Sequence, residues 1–117
     1  LAWALSRSLR LADRDAPRPA YLLVQGVVTD PDGFKAYNAA LPPIYEKFGG
    51  RHVSLTPATK VEVIEGATEG RSIVISRFPS KEVALAFWHS PEYTAAKALR
   101  AGKGTFFVTV LEGLPGT

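Results

Sequence analysis

Apolar residues are grouped into runs at four places along this chain, and each run predicts a β-strand. Residues 21–28 form an almost continuous apolar run bounded by prolines, which is typical of a strand buried on both faces. Residues 71–78 and 105–112 predict the third and fourth strands. Residues 51–55 and 60–65 alternate between polar and apolar side chains, so we interpret them as one bent or interrupted second strand.

The segments between these strands have the capping residues and the spacing of helices. Asp30 precedes a helical pattern that ends at a Gly-Gly pair, and Pro42 and Pro43 are expected to kink or split this helix. Ser80 and Ser90 each precede a further helical segment. We therefore expect two serine-capped helices in succession, the second one running to Arg100.

The order of these elements predicts the fold. It is β-α-β-β-α-β, and right-handed crossovers then place both helical segments on one face of a four-stranded antiparallel sheet. This is the ferredoxin-like arrangement of the α+β class. In the last strand the alternating residues leave both faces largely apolar: Phe106, Val108 and Val110 on one, Phe107, Thr109 and Leu111 on the other. We expect the face away from the helices to be covered by the sheet of a second copy, in a homodimer.

Composition excludes several classes of protein. The chain has 117 residues, of which 46% are hydrophobic, and this suits one domain with a single core. We expect residues 1–20 to be a poorly ordered N-terminal extension and residues 21–115 to form the domain. The absence of cysteine excludes disulfides and thiolate chemistry and agrees with a cytoplasmic location. Because no apolar run approaches the roughly 20 residues that cross a bilayer, we expect a soluble protein without a membrane partner.

The net charge of +3 does not predict binding to nucleic acid. Residues 1–20 hold four arginines and two aspartates, and the rest of the chain holds ten basic against nine acidic side chains. Such a nearly neutral body lacks the clustered basic stripe that phosphate binding requires. We therefore expect no nucleic-acid partner.

Several motifs carry a resemblance to a known family. They are Asp-Pro-Asp-Gly-Phe-Lys-Ala-Tyr at 30–37, Gly-Gly-Arg at 49–51, Val-Ile-Glu-Gly at 63–66, Phe-Pro-Ser at 78–80, Ala-Phe-Trp-His-Ser-Pro-Glu-Tyr at 86–93, Ala-Lys-Ala-Leu-Arg at 96–100 and Glu-Gly at 112–113. Through them, residues 21–113 resemble the small bacterial proteins of domain-of-unknown-function family 1330, in the dimeric α+β-barrel superfamily. The resemblance implies the fold and a dimeric α+β barrel, and it implies no particular reaction.

Two positions depart from the usual pattern of the family that this chain resembles. Arg77 stands where the family usually has an acidic residue, and Leu55-Thr56-Pro57 stands where it usually has a stretch similar to Arg-Gly-Gly. A base in place of an acid within a cleft would reverse the preference of that cleft for ligand charge.

Four side chains are candidates for a ligand-binding site. Arg51 and Arg77 each share a strand face with apolar residues, and a charged side chain there needs a partner or a ligand. They predict an anion-binding cleft between sheet and helices. The alternative is that these arginines lie near strand ends, where they reach water or pair with Glu62, Glu65 or Glu92. His89 and Tyr93 lie at the junction of the two serine-capped helices and are the catalytic candidates. Their structural alternatives are an exposed linker histidine and a packed tyrosine.

These candidates leave three hypotheses about function. The first is a homodimer that binds a small organic anion through Arg51, Arg77, His89 and Tyr93. The second is a cofactor-independent small-molecule enzyme, similar to monooxygenases and isomerases of the superfamily, in which His89 or Tyr93 moves a proton. The third is a purely structural dimer. We interpret His52 as a surface or interface residue, and the sequence predicts no metal site and no cofactor.

Overall fold

A four-stranded antiparallel sheet with helices on one face forms the fold in a computed structural model that describes residues 16–117. The strands are β1 (Ala20–Val28), β2 (Arg51–Thr56), β3 (Ser72–Phe78) and β4 (Gly104–Glu112), and the helices are α1 (Pro31–Lys47), α2 (Lys81–His89) and α3 (Pro91–Ala98). The order of strands in the sheet is β2-β3-β1-β4, with every neighbouring pair antiparallel. The predicted ferredoxin-like α+β fold is therefore confirmed.

Side-chain caps begin all three helices. Asp30, Ser80 and Ser90 each accept a hydrogen bond from the backbone N–H three residues ahead, at 3.0, 3.1 and 3.1 Å. The bond from the N–H of Gly33 lowers the pKa of Asp30 below its ordinary value. Ser90 also donates its hydroxyl to the carbonyl oxygen of Phe87 at 2.7 Å, so one serine ends α2 and begins α3. The predicted caps are confirmed.

Two local predictions need correction. Pro42 and Pro43 do not split the helix but lie inside one continuous helix, and Leu41 and Ile44 on either side of them are buried in the core. The second half of the predicted second strand does not form. A short 3₁₀ turn, Ala58–Lys60, follows β2, and residues 61–65 contain no strand. The apolar residues of this alternating pattern do not form a buried face: the side chain of Ile64, for example, is almost fully exposed.

The core lies between the helices and the sheet face that is turned towards them. Ala20 and Leu22 of β1, Phe78 of β3 and Phe87 of α2 are buried there. The alternate residues of the strands form the opposite face, which we call the outer face. Several of its apolar side chains are exposed: Val27, Phe107 and Leu111. Both faces of the sheet are therefore apolar, as predicted.

The N-terminal boundary of the domain lies before residue 21. The backbone N–H of Gly113 donates to the carbonyl oxygen of Pro19 at 2.7 Å, and that of Gly116 donates to Pro17 at 2.9 Å. Pro19 is buried, and Ala20 already belongs to β1. The rest of the predicted extension, residues 1–15, lies outside the described residues.

Across residues 16–117, none of the helices has the length and apolar character needed to cross a membrane.

Candidate functional site

A cavity of about 120 Å³ lies between the sheet and α1. Most of its wall is apolar and includes Val24, Val28, Phe34, Leu41, Val74 and Val108. The Phe106 ring lies over Gly26 and forms part of the cavity wall. Gly26 of β1 is paired with Ser72 of β3, and a Cβ atom at Gly26 would come within 2.6 Å of the Phe106 ring, which also lines the cavity.

A hydrogen-bonded chain of polar groups lies along one wall of the cavity. The Oγ atom of Ser76 is 2.8 Å from the hydroxyl of Tyr45 and 3.1 Å from Nδ1 of His52. Ser76 is fully buried behind the wall, whereas Tyr45 and His52 line the cavity. Each of the three groups can both donate and accept a hydrogen bond, so the direction of donation along these hydrogen bonds can be reversed.

The two titratable members of this chain are neutral at neutral pH. Burial raises the pKa of Tyr45 above its ordinary value. His52 is exposed as a residue, but the desolvation of its ring lowers its pKa below 6.5. Because Nδ1 contacts Ser76, Nε2 is the ring nitrogen that is left for a ligand, and a neutral imidazole can accept a proton there.

A second pair of hydroxyl groups lies where α1 meets α3. The hydroxyls of Tyr37 and Tyr93 are 2.9 Å apart, and both residues line the cavity. Tyr93 is buried. Burial raises the pKa of Tyr37 far above its ordinary value, so this residue stays a phenol that can donate a hydrogen bond.

Arg100 brings a positive charge to the cavity. Its guanidinium carbon lies 4.4 Å from the centre of the Phe106 ring and 5.4 Å from that of the Tyr37 ring, which are cation–π distances. None of the ion pairs within residues 16–117 includes Arg100. Among the described residues that line the cavity, it is the one arginine or lysine. The cavity therefore combines an apolar interior with one cation at its wall.

The structure separates the four predicted site residues. Tyr93 lines the cavity, but His89 lies exposed at the end of α2 and is absent from the wall. Arg51 and Arg77 are direct neighbours across β2 and β3, and they point to the outer face. Arg51 also borders a shallow recess beside β2, and Arg77 donates to the backbone oxygen of Thr117 at 3.2 Å. The prediction that these four side chains share one cleft is therefore wrong.

The physical reason is that alternation groups residues onto faces without saying which face meets the helices. Arg77 does share a face with Ile73 and Ile75, as expected, but this is the outer face. The departure from the family pattern at Arg77 therefore leaves the charge of the cavity unchanged. Leu55, which belongs to the other stretch that departs from the family pattern, does line the cavity.

Sequence reasoning missed His52, Tyr45 and Arg100 as wall residues. A register shift between His52 and Ser54 is the cause for β2, because it turns both His52 and Leu55 towards the helices although they are three residues apart. One signal was available. A serine at position 76 stands on the helix-facing side of an otherwise apolar strand and requires hydrogen-bond partners when it is buried.

No three His, Asp or Glu side chains come together as a possible metal site within the part of the chain that the structure describes.

Three kinds of comparison with known proteins bear on this fold and cavity. The family described as "Domain of unknown function (DUF1330)" matches residues 19–114, which agrees with the resemblance of the motifs. No curated protein matches the chain.

Solved structures share the fold at low sequence identity. RPA0582, a protein of unknown function from Rhodopseudomonas palustris, is 16% identical with a TM-score of 0.65 over 97% of this chain and 91% of its own. SnoaB, a cofactor-independent oxygenase from Streptomyces nogalater, is 12% identical with a TM-score of 0.56 over 82% and 92%. A dimeric ferredoxin-like protein of unknown function from Bacteroides fragilis is 14% identical with a TM-score of 0.53 over 80% and 95%. At such identities these likenesses show the fold alone.

Proposed function

The chain belongs to the DUF1330 family, and we propose that it is a homodimeric protein that binds a small organic acid in the cavity between its sheet and its helices. The observation that carries this proposal is the guanidinium of Arg100 beside an apolar cavity, without a carboxylate partner among the described residues. A charge beside an apolar wall favours a ligand whose own charge pairs with it and whose apolar part fills the space.

The size of the cavity limits the apolar part of the ligand to about one ring. Its volume is about 120 Å³. An apolar cavity of roughly 150 Å³ in another protein holds benzene. Tyr37, Tyr45 and His52 add hydrogen-bonding groups to the wall, which suit a ring that carries a hydroxyl or carbonyl oxygen.

Calorimetry with benzoate and with its neutral analogue benzamide tests the role of Arg100. We expect Arg100→Gln, which removes the charge and keeps much of the length, to weaken benzoate binding about tenfold and to leave benzamide binding unchanged. Lys81→Gln, at an exposed position on α2, is the matched control and leaves both affinities as they are. Equal benzoate affinity in the parent protein and in Arg100→Gln would remove Arg100 from the site.

The homodimer is supported by the outer face. Phe107 and Leu111 are each 50% exposed on this face, and sheet-to-sheet packing of two copies would cover them. The Bacteroides fragilis protein with the same fold is described as dimeric. We expect a dimer in light scattering at micromolar concentration, and we expect Leu111→Asp to dissociate it. Leu85→Asp, on an exposed part of α2, is the control that stays dimeric. A parent protein that scatters as a monomer would contradict this part of the proposal.

A second candidate function is cofactor-independent proton-transfer chemistry at His52. The neutral imidazole of His52 lines the cavity and is held by Ser76, which fits a general base. SnoaB, which has the same fold, is described as a cofactor-independent oxygenase. In the simplest step, Nε2 takes a proton from a carbon next to a carbonyl group. The electron pair of the C–H bond forms a carbon–carbon double bond, and the π pair of the carbonyl group moves to its oxygen, which gives an enolate.

Exchange of acetophenone methyl protons in D₂O, followed by NMR, tests this chemistry. The protein should accelerate the exchange, His52→Asn should abolish the acceleration, and His89→Asn should be as active as the parent. Equal rates with and without protein would exclude His52 as a base for this probe.

If neither acids nor carbonyl probes bind, the purely structural dimer is the hypothesis that survives. Ligand-binding roles for Arg51, Arg77 and His89, and a cytoplasmic location, stay predictions.

A further inference from the structure

A shallow groove lies beside the cavity, on the far side of Arg100, between α3 and β4. Arg100, Phe106 and Val108 line both the cavity and the groove. The two spaces are therefore separated by a single layer of side chains. Arg100 has the longest side chain of this layer and the most rotatable bonds, whereas Phe106 and Val108 belong to β4.

The groove carries a second cation next to an aromatic ring. Lys97 and Trp88 line it, and the Nζ atom of Lys97 lies 4.9 Å from the centre of the Trp88 ring. Lys97 is one turn away from Arg100, whose backbone N–H donates to the carbonyl oxygen of Lys97 at 3.1 Å. Neither residue takes part in an ion pair within residues 16–117. The groove thus presents two positive charges without acidic partners from the described chain.

Solvation decides where a carboxylate fits best in this arrangement. Inside the cavity, a carboxylate would lose its water and gain one cation, and the desolvation of a charge is costly. In the open groove, which both Lys97 and Arg100 line, the same carboxylate would keep part of its water. A ring, in contrast, gains most in the cavity, where its apolar surface is removed from water to a greater extent than in the groove.

We infer that the cavity and the groove form one binding site, divided by Arg100, for an arylalkanoic acid whose ring occupies the cavity and whose carboxylate lies in the groove between Arg100 and Lys97. This inference rests on the proposed function, because it names the class of acid that the cavity takes. It adds Lys97 as a residue that selects for the distance between ring and carboxylate.

A series of acids with increasing chain length tests the inference: benzoate, phenylacetate, 3-phenylpropionate and 4-phenylbutyrate. Each is measured by calorimetry together with its amide, because added methylene groups bury apolar area whether or not the charge is present. We expect the ratio of acid affinity to amide affinity to rise about tenfold along the series. Lys97→Gln should remove this rise and leave benzoate binding unchanged, and Lys81→Gln should preserve both.

The outcomes separate the inference from the proposed function. If benzoate binds through Arg100 but the ratio stays constant with chain length, or if Lys97→Gln leaves the rise intact, the inference is overturned and the proposed function survives. If none of the four acids binds the parent protein, both are overturned. Lys97 is a partly exposed residue on α3, so its replacement by glutamine leaves the core untouched.

Discussion

The space between the sheet and the helices is packed at one end and hollow at the other, although the same strands pass through both ends. At the packed end, the Phe87 ring centre lies 4.8 Å from that of Phe78 and 4.6 Å from that of Tyr93. At the hollow end, shorter side chains such as Ser72 and Val74 line the cavity. We therefore expect one end of the fold to contribute most of the stability, and the other end is where we propose that the ligand binds.

Tyrosines connect the two ends. Tyr45 and Tyr93 place their rings against Phe87 of the packed end, while both residues also line the cavity. Their hydroxyls are held by Ser76 and by Tyr37. The packed end therefore orients the polar groups of the hollow end, which keeps those groups in place before a ligand arrives. Four predictions test how far this division holds.

The largest effect is expected at the packed end. Phe87→Ala removes a ring that is 1% exposed and leaves a cavity among aromatic neighbours, so we expect the free energy of unfolding to fall by about 3–5 kcal/mol. Leu85→Ala on the same helix is the control, since its side chain is 38% exposed and its replacement costs much less. Urea unfolding measures both variants. A similar cost for the two would show that Phe87 does not hold the packed end together.

An intermediate effect is expected at the junction of α2 and α3. Ser90 accepts from the N–H of Tyr93 and donates to Phe87, whereas Ser80 accepts only from the N–H of Val83. Ser90→Ala should therefore lower the free energy of unfolding by about 1–2 kcal/mol, and Ser80→Ala should lower it by about 1 kcal/mol or less. The reverse order in urea unfolding would mean that the bond to Phe87 contributes nothing.

A smaller effect on stability is expected when the hollow end is filled. Val74→Phe places a ring in free space, so we expect the free energy of unfolding to change by less than about 1 kcal/mol while benzoate binding is lost. Leu22→Phe adds a ring at the packed end, where overpacking costs about 1–3 kcal/mol. Equal stability losses in the two variants would contradict the division into a packed and a hollow end.

The smallest effect is a dependence of stability on pH that comes from the hollow end. The pKa of His52 is lowered in the folded state from its ordinary value of 6.5, so at higher pH the group is neutral in both states and contributes nothing. As the pH falls through that value, the unfolded chain takes up a proton that folded His52 resists, and stability is lost.

Unfolding in urea at about pH 7.5 and about pH 5.5 measures this effect. We expect the parent protein to lose more stability between the two than His52→Asn does. This range stays above the pH at which Asp30 and Glu92 take up protons, because their pKa values lie below the ordinary carboxyl values. An equal loss in the parent and in the variant would show that the His52 ring is as well solvated in the folded state as in the unfolded one.

The order of elements, the caps and the family could all be predicted from the sequence. The physical reason is that these signals are local: a cap at Ser80 or Ser90 depends on residues three positions away, and a strand depends on alternation over a few residues. The two apolar faces of β4 also follow from alternation alone. The unsplit helix at Pro42 and the missing strand after residue 60 do not follow from such local signals, because both depend on the packing around them.

The tertiary structure alone decided where the cavity lies and which residues line it. Which face of β3 meets the helices separates Arg77 from the cavity, and one register shift in β2 brings His52 to it. The wall of the cavity is formed by residues that are far apart in the chain, such as Val24, Leu41 and Val108. Burial, orientation and unfilled volume depend on all the surrounding elements at once, and no stretch of the sequence contains that information by itself.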